Sequence, residues 1–303
     1  MNELYKIHPY LKLNGKEVLL PPPRRFIPHK RWNELLRLKE TIEQHPQLIH
    51  ISKKKVMAMI EQALRRHMHE TERHSILSEG GTPKDSTLEK VEEKIEFMIK
   101  KYKQGQTPHA FDLGAFVEAH LQQAWADVVR EYNGDMGVVI RGKHGIHTGL
   151  ARSWTLLEHM YYAFSHPAFQ ENIKDKVALA FLRFIYGQIL HPFIDGNGRA
   201  GRSQLNSELI AHGLPPLVIT MKNRDIYLDK MEKVAADFNS DVRSYWKALI
   251  EALPHLDHAW RSSIIATLIL DSSPPSVQEF IDWALKEVKK EGEIIMMSSL
   301  AQM

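Results

Sequence analysis

His191-Pro192-Phe193-Ile194-Asp195-Gly196-Asn197-Gly198-Arg199-Ala200-Gly201-Arg202 is the stretch on which the reading of this chain turns. Gly196, Gly198 and Gly201 let the backbone turn tightly and bring bare N–H groups close to an anion. A helix starting just after them adds a favourable dipole at the same place. Arg199 and Arg202 lie one helical turn apart, so on a helix they share a face and can grip one phosphate chain with bidentate geometry. Asp195 is a hard oxygen ligand of the kind that holds magnesium beside phosphates. His191 accepts a proton near neutral pH. Together these residue types suit the handling of a nucleotide triphosphate.

Each residue alone has an ordinary explanation. A His before Pro often ends a helix, Asp195-Gly196 and Asn197-Gly198 are common turn dipeptides, and Arg pairs at this spacing usually line a solvated helix face. Those explanations must all hold in one loop bracketed by apolar helical segments, which is where they fail. A sharper rival is the G-x-G-x-x-G run Gly196-Asn197-Gly198-Arg199-Ala200-Gly201, the fingerprint of a dinucleotide-binding oxidoreductase. Val218-Ile219-Thr220 and Asp225 would then stand for the next strand and its acidic residue. That fingerprint follows a strand directly. Val177 to Leu190 is too long for a typical strand, and no βαβ alternation comes after it.

The chain has 303 residues, enough for a large core and one or two domains. It is 43% apolar and 25% charged, with a formal net charge of +3, so no general nucleic-acid affinity is implied. The basic clusters Arg24-Arg25 and Lys53-Lys54-Lys55 read as solvated faces. There is no cysteine, which excludes disulfides, thiolate metal sites and thiol nucleophiles. This fits a cytoplasmic protein and is compatible with export into a host cell. No apolar run approaches the length of a membrane span, and the N-terminus lacks an apolar signal core.

The pattern along the chain is mainly helical. Residues 1–30 look irregular, ending in the stiff Pro21-Pro22-Pro23. Asn33 caps an expected helix to about His45, Ser52 the next, and Ser86 a third. Gly105 to Pro108 forms a lobe boundary, and Asp112 opens a helix to about Tyr132. Turn signals at Asn133-Gly134-Asp135, Gly142 and Gly145 around Val138-Val139-Ile140 predict a short β-hairpin. His144 and His147, in that segment, have metal-like spacing but no supporting carboxylate, which favours a surface role. Helices are then expected at about 150–165, 172–190, 199–211 (ending at His212-Gly213), 225–237, 241–252, 258–270 and 276–290.

The run at 191–202 resembles the Fic-domain signature, H-P-F-x-D-G-N-G-R-x-x-R, at every specified position. The resemblance covers roughly residues 110–250. It implies a Fic-fold helical core with a short β-hairpin flap, plus N- and C-terminal helical extensions. The corresponding division is residues 1–107 as an N-terminal lobe, 108–250 as the catalytic core and 251–303 as a C-terminal extension. It further implies His191 as the base that deprotonates a target hydroxyl and Asp195 as the magnesium ligand. Gly196, Asn197 and Gly198 would form the anion hole, Arg199 and Arg202 would hold the nucleotide phosphates, and Phe193 would anchor the core. Tyr227 and Asn239 are candidates to flank the base, at a longer spacing than usual. Two positions depart from the family pattern. Phe184 stands where many members have a His, and Gly187 where they have an aromatic.

Ser75-Ile76-Leu77-Ser78-Glu79-Gly80 resembles the Fic inhibitory motif, [ST]-x-x-x-E-[GN]. It lies at the end of an amphipathic helix and precedes the core. Ser75, Glu79 and Gly80 match the specified positions. A carboxylate aimed at a phosphate-binding Arg occupies its fork and repels the γ-phosphate. In the family that Arg is the second of the motif, here Arg202.

The activity implied by the resemblance is transfer of AMP from ATP to a Ser, Thr or Tyr hydroxyl of a target protein, with magnesium as cofactor. The target would add a strand to the flap at about 137–148. Automodification and a homodimer are compatible with the resemblance, whereas nucleic acid and membrane spans are not expected. Variants of the same chemistry remain open: removal of AMP, or transfer of UMP, phosphate or phosphocholine. An inactive regulatory binding protein is the alternative of another class.

Overall fold

Asn14-Gly15 is a strong two-residue hairpin signal, and it connects strand β1 (Tyr10–Leu13) to β2 (Lys16–Leu19). The strands pair antiparallel, Tyr10 opposite Leu19 and Leu13 opposite Lys16. The expectation of an irregular N-terminus is corrected here, since the turn dipeptide lies between two short segments that carry Tyr10, Leu11, Leu13, Val18 and Leu19. The structure is a computed structural model describing residues 10–13, 16–19, 22–44, 139–142, 145–148, 153–164, 169–170, 172–191, 197–238 and 258–301. The helices expected after Ser52, Ser86 and Asp112 and at 241–252 lie outside them.

A 3-10 turn at Pro23–Phe26 leads into α1 (His29–Gln44). Helix α1 starts about a turn before Asn33, because the Pro28 carbonyl accepts the Trp32 N–H at 3.0 Å. A second antiparallel hairpin follows, β3 (Val139–Gly142) with β4 (Gly145–Thr148), Gly142 facing Gly145. The remaining elements are α2 (Ser153–Phe164), α3 (Ile173–Leu190), α4 (Asn197–Ala211), α5 (Met221–Asp237), α6 (His258–Ser272) and α7 (Pro275–Ala301).

Helix α3 is apolar nearly all round, and such a helix must be buried on every side. It packs against α2, α4 and the 3-10 turn, while α2 packs on α6, and α7 packs on both α1 and α5. Phe181, Leu182 and Ile185 of α3 are fully buried, as are Leu156, Phe164, Ile269 and Phe280 from its surroundings. Two polar devices fix α3 in place. At its start the Asn172 side chain accepts the Asp175 N–H at 3.0 Å, and Asp175 accepts both the backbone N–H and the guanidinium of Arg24, each at 3.1 Å. Midway, Arg183 forms a buried ion pair with Glu208 of α4, and Gln204 also donates to Glu208.

Helix α4 ends where the sequence predicts. Gly213 takes φ +73°, which glycine adopts without strain, and the Leu214 N–H returns to the Leu209 carbonyl at 2.9 Å. The extended segment beyond it is held by Asn206, whose side chain bonds both the N–H and the carbonyl of Leu217. Asn223 reaches back to the Thr220 N–H at 2.7 Å, so α5 starts at Met221, ahead of the expected 225. Helix α7 continues past the expected end near 290. Gly292 looks like a stop, but here it lies mid-helix, where Leu38 of α1 and Pro215 press against it.

The dinucleotide alternative needs a strand before Gly196 and a parallel sheet. The residues before the motif are helix α3, and both sheets among the described residues are two-stranded and antiparallel. Among the described residues no helix is long and apolar enough to cross a membrane.

Candidate active site

Helix α3 stops at His191 because Pro192 disfavours the helical conformation in the residue before it. His191 takes φ 50° and ψ 58°, and its N–H bonds the Gly187 carbonyl at 3.1 Å. It is the one non-glycine residue with positive φ among the described residues. Holding such a conformation costs about 1–3 kcal/mol, and residues kept there by their surroundings cluster at functional sites. The local backbone thus sets apart the residue that the motif nominates as base.

Helix α4 begins at Asn197, so Asn197, Gly198 and Arg199 form its first turn. That turn contains no acidic side chain to offset the positive end of the helix dipole. Asn197 is buried. A Cβ on Gly198 would stand 2.9 Å from Arg202 Nη1, so the glycine gives Arg202 room to lie along the first turn.

Arg202 sits over the Tyr227 ring at 5.8 Å from its centroid, with Nη1 3.4 Å from the Tyr227 hydroxyl. Its Nε is buried and has no hydrogen-bond partner among the described residues. An unmet buried donor costs about 1–3 kcal/mol, more when charged, so this guanidinium is short of an acceptor. Tyr227 is itself buried, its ring 6.2 Å from Phe280 and 6.3 Å from Trp283. Its described polar contact is with Arg202.

The structure therefore brings together Gly198 and Arg202 on α4 with Tyr227 on α5, while His191 ends α3 and Asn197 opens α4. Asp195, Gly196, Asn239, Ser75, Glu79 and Gly80 lie outside the described residues, as does the side chain of Arg199. Sequence reasoning passed over Gln188, whose Nε2 donates to the Asn197 carbonyl at 2.9 Å. The available signal was a polar residue in the otherwise apolar last turn of α3.

No family model matches the chain. Over 68 residues it is 32% identical to a Protein adenylyltransferase Fic from Nematostella vectensis, a match covering 22% of this chain and 14% of that protein. Over 145 residues it is 26% identical to a Protein adenylyltransferase Fic from Aedes aegypti, covering 45% of this chain and 28% of the relative. The chain thus matches well under a third of the length of these relatives. Among solved structures, a Fic family protein from Desulfovibrio desulfuricans G20 superposes with a TM-score of 0.52 at 17% identity, covering 92% of this chain and 77% of that one. The chain has the fold of that Fic family protein and is similar in sequence to the protein adenylyltransferases named Fic.

Proposed function

We propose that this protein transfers AMP from ATP to a Ser, Thr or Tyr hydroxyl of a target protein. The observation that carries the proposal is the Arg202 guanidinium, with a buried Nε short of an acceptor among the described residues, on a helix whose first turn has no acidic side chain. Those features suit a polyphosphate. His191, just ahead of that helix start in the chain, is held in its unusual backbone conformation.

In the proposed reaction the target hydroxyl oxygen attacks the α-phosphorus, and its proton passes to His191. The bond from that phosphorus to pyrophosphate breaks, and pyrophosphate leaves with the electron pair. Backbone N–H groups at Gly196, Asn197 and Gly198 hold the oxygens that gain charge, while Arg199 and Arg202 grip the remaining phosphates. Asp195 is the residue that would hold magnesium, which supplies further charge neutralisation when bound. Tyr227 orients Arg202, and together with Asn239 it belongs to the nucleotide side of the site. The β3–β4 hairpin offers an edge for a target segment to add as a strand.

We also propose autoinhibition by the Ser75–Gly80 motif, with Glu79 occupying Arg202. The acceptor that Arg202 Nε needs is then either this carboxylate or the nucleotide.

The test is incubation of the purified protein with labelled ATP or UTP in the presence of magnesium. Label from ATP should appear on the chain itself or on an added target. His191→Ala should lose ~10²–10⁴-fold in rate while still binding nucleotide. Activity of that variant within a few-fold of wild type would sink the assignment. Glu79→Gly should raise labelling at least roughly tenfold, the equivalent of one charge-assisted contact. Unchanged labelling would reduce the 75–80 run to an ordinary helix end.

A further inference from the structure

Two side chains meet where α3 ends and α4 begins, and only Arg202 belongs to the motif. Gln188 is the other, in the last turn of α3, three residues before His191. Its Nε2 donates to the Asn197 carbonyl at 2.9 Å, crossing from the last turn of α3 to the first residue of α4. That carbonyl has a second lone pair beyond its intrahelical bond, so the contact costs α4 nothing. The carboxamide fills a slot between two glycines. A Cβ at Gly201 would lie 2.2 Å from Gln188 Nε2 and 3.1 Å from Phe184 Cδ2. A Cβ at Gly198 would lie 3.7 Å from Gln188 Oε1 and 2.9 Å from Arg202 Nη1. Gln188 and Arg202 therefore approach the same point over the first turn of α4.

We propose that Gln188 is a positioning residue, which ties the helix ending in His191 to the helix carrying Arg202 and fixes the distance between base and phosphate grip. The inference rests on the transferase reading above. It also explains Gly201, which the signature leaves unspecified: no other residue leaves space for the Gln188 amide. Positioning of this kind acts on rate, because misplacing a reacting group by about 1 Å costs on the order of 10²-fold.

The experiment uses the full chain and three readouts: kcat/KM for ATP, melting temperature, and amide hydrogen exchange over residues 197–202. Gln188→Met keeps length and apolar volume but removes the donor. It should lose roughly tenfold in kcat/KM and speed exchange in the first turn of α4. Gly201→Ala should lose a comparable amount by evicting the amide. The double variant Gln188→Ala, Gly201→Ala should lose clearly less than the sum of its two single variants, since truncation removes the 2.2 Å clash and leaves only the Phe184 ring to give way. Additive losses overturn the proposal. So does a lowered melting temperature with kcat/KM within twofold of wild type, which is what a merely structural contact would produce. If the wild-type protein transfers nothing from any nucleotide, the transferase reading falls. The tie between the helices is then decided by exchange and by the stability cycle, and unchanged exchange with additive melting shifts overturns it.

Discussion

Replacing Glu208 with Gln removes one charge from the middle of the α3–α4 contact and leaves Arg183 inside the protein without its counter-ion. Both side chains are 1% exposed. Burial pushes the Glu208 carboxyl up, and its contacts with Arg183 and Gln204 pull against that rise. The desolvation cost is therefore large, and the partner's charge is what offsets it. Breaking a buried pair from one side costs about 3–5 kcal/mol. At about 2–3 °C per kcal/mol for a chain of this size, the melting temperature should fall by roughly 6–15 °C. Arg183 also lies 5.9 Å from the centre of the Tyr161 ring, so the stranded charge cannot leave without disturbing α2. Calorimetry and urea titration at neutral pH measure the loss. The double variant Arg183→Met, Glu208→Leu removes both charges and should return to within about 1 kcal/mol of wild type. The reasoning is refuted if Glu208→Gln costs less than about 1 kcal/mol, or if the double variant is less stable than the single one.

Three further outcomes follow from individual residues. Burial, with Lys176, Arg183 and Lys39 nearby, depresses the His212 imidazole from 6.5 to about 4. The unfolded chain then binds a proton that the folded one refuses, so stability is full above about pH 6.5 and is lost as pH falls toward 4; urea midpoints at pH 7 and pH 5 should differ less in His212→Asn than in wild type, and equal differences would discard the effect. Gly292→Ala gains about 1 kcal/mol of helix propensity but drives a methyl to 2.6 Å from Leu38 Cδ2 and 2.8 Å from Pro215 Cγ. Leu38 can rotate but the proline ring cannot, so crowding of about 1–3 kcal/mol wins and the melting temperature falls. Gly187→Ala is the converse, since a Cβ there meets nothing within 4 Å; thermal unfolding should shift up by a few degrees, about 1 kcal/mol of propensity, and a downward shift would mean the space is not free.

The motif was legible because its chemistry demands particular residue types at particular spacing, and the end of α4 because Gly213 is a local signal. Helix α3 was legible from an apolar run too long for a strand. The rest depends on partners remote in sequence. Arg183 and Glu208 stand on different helices, and nothing near either names the other. Gly292 looks like a helix stop in the sequence, and only the approach of Leu38 and Pro215 explains it as a close packing point. Gln188 drew no reading, because the carbonyl it serves belongs to the next helix. The β1–β2 hairpin was missed although Asn14-Gly15 announced it, since its strands are only four residues each, too short for a clear alternation.

The pairing of α1 with α7 bears on how this chain is made in the cell. Trp32, Leu35 and Leu38 of α1 are buried, and Arg31 bonds Asp282 of α7 at 2.7 Å. A ribosome adding about 5–20 residues each second delivers α7 roughly ten to fifty seconds after α1. Throughout that interval the apolar side of α1 lacks its final neighbour and is a natural client for a chaperone. The nascent chain can complete this layer of its core only once nearly the whole described length has emerged. A ribosome stalled shortly before residue 275 would thus hold out a chain whose first helix is still waiting for its last.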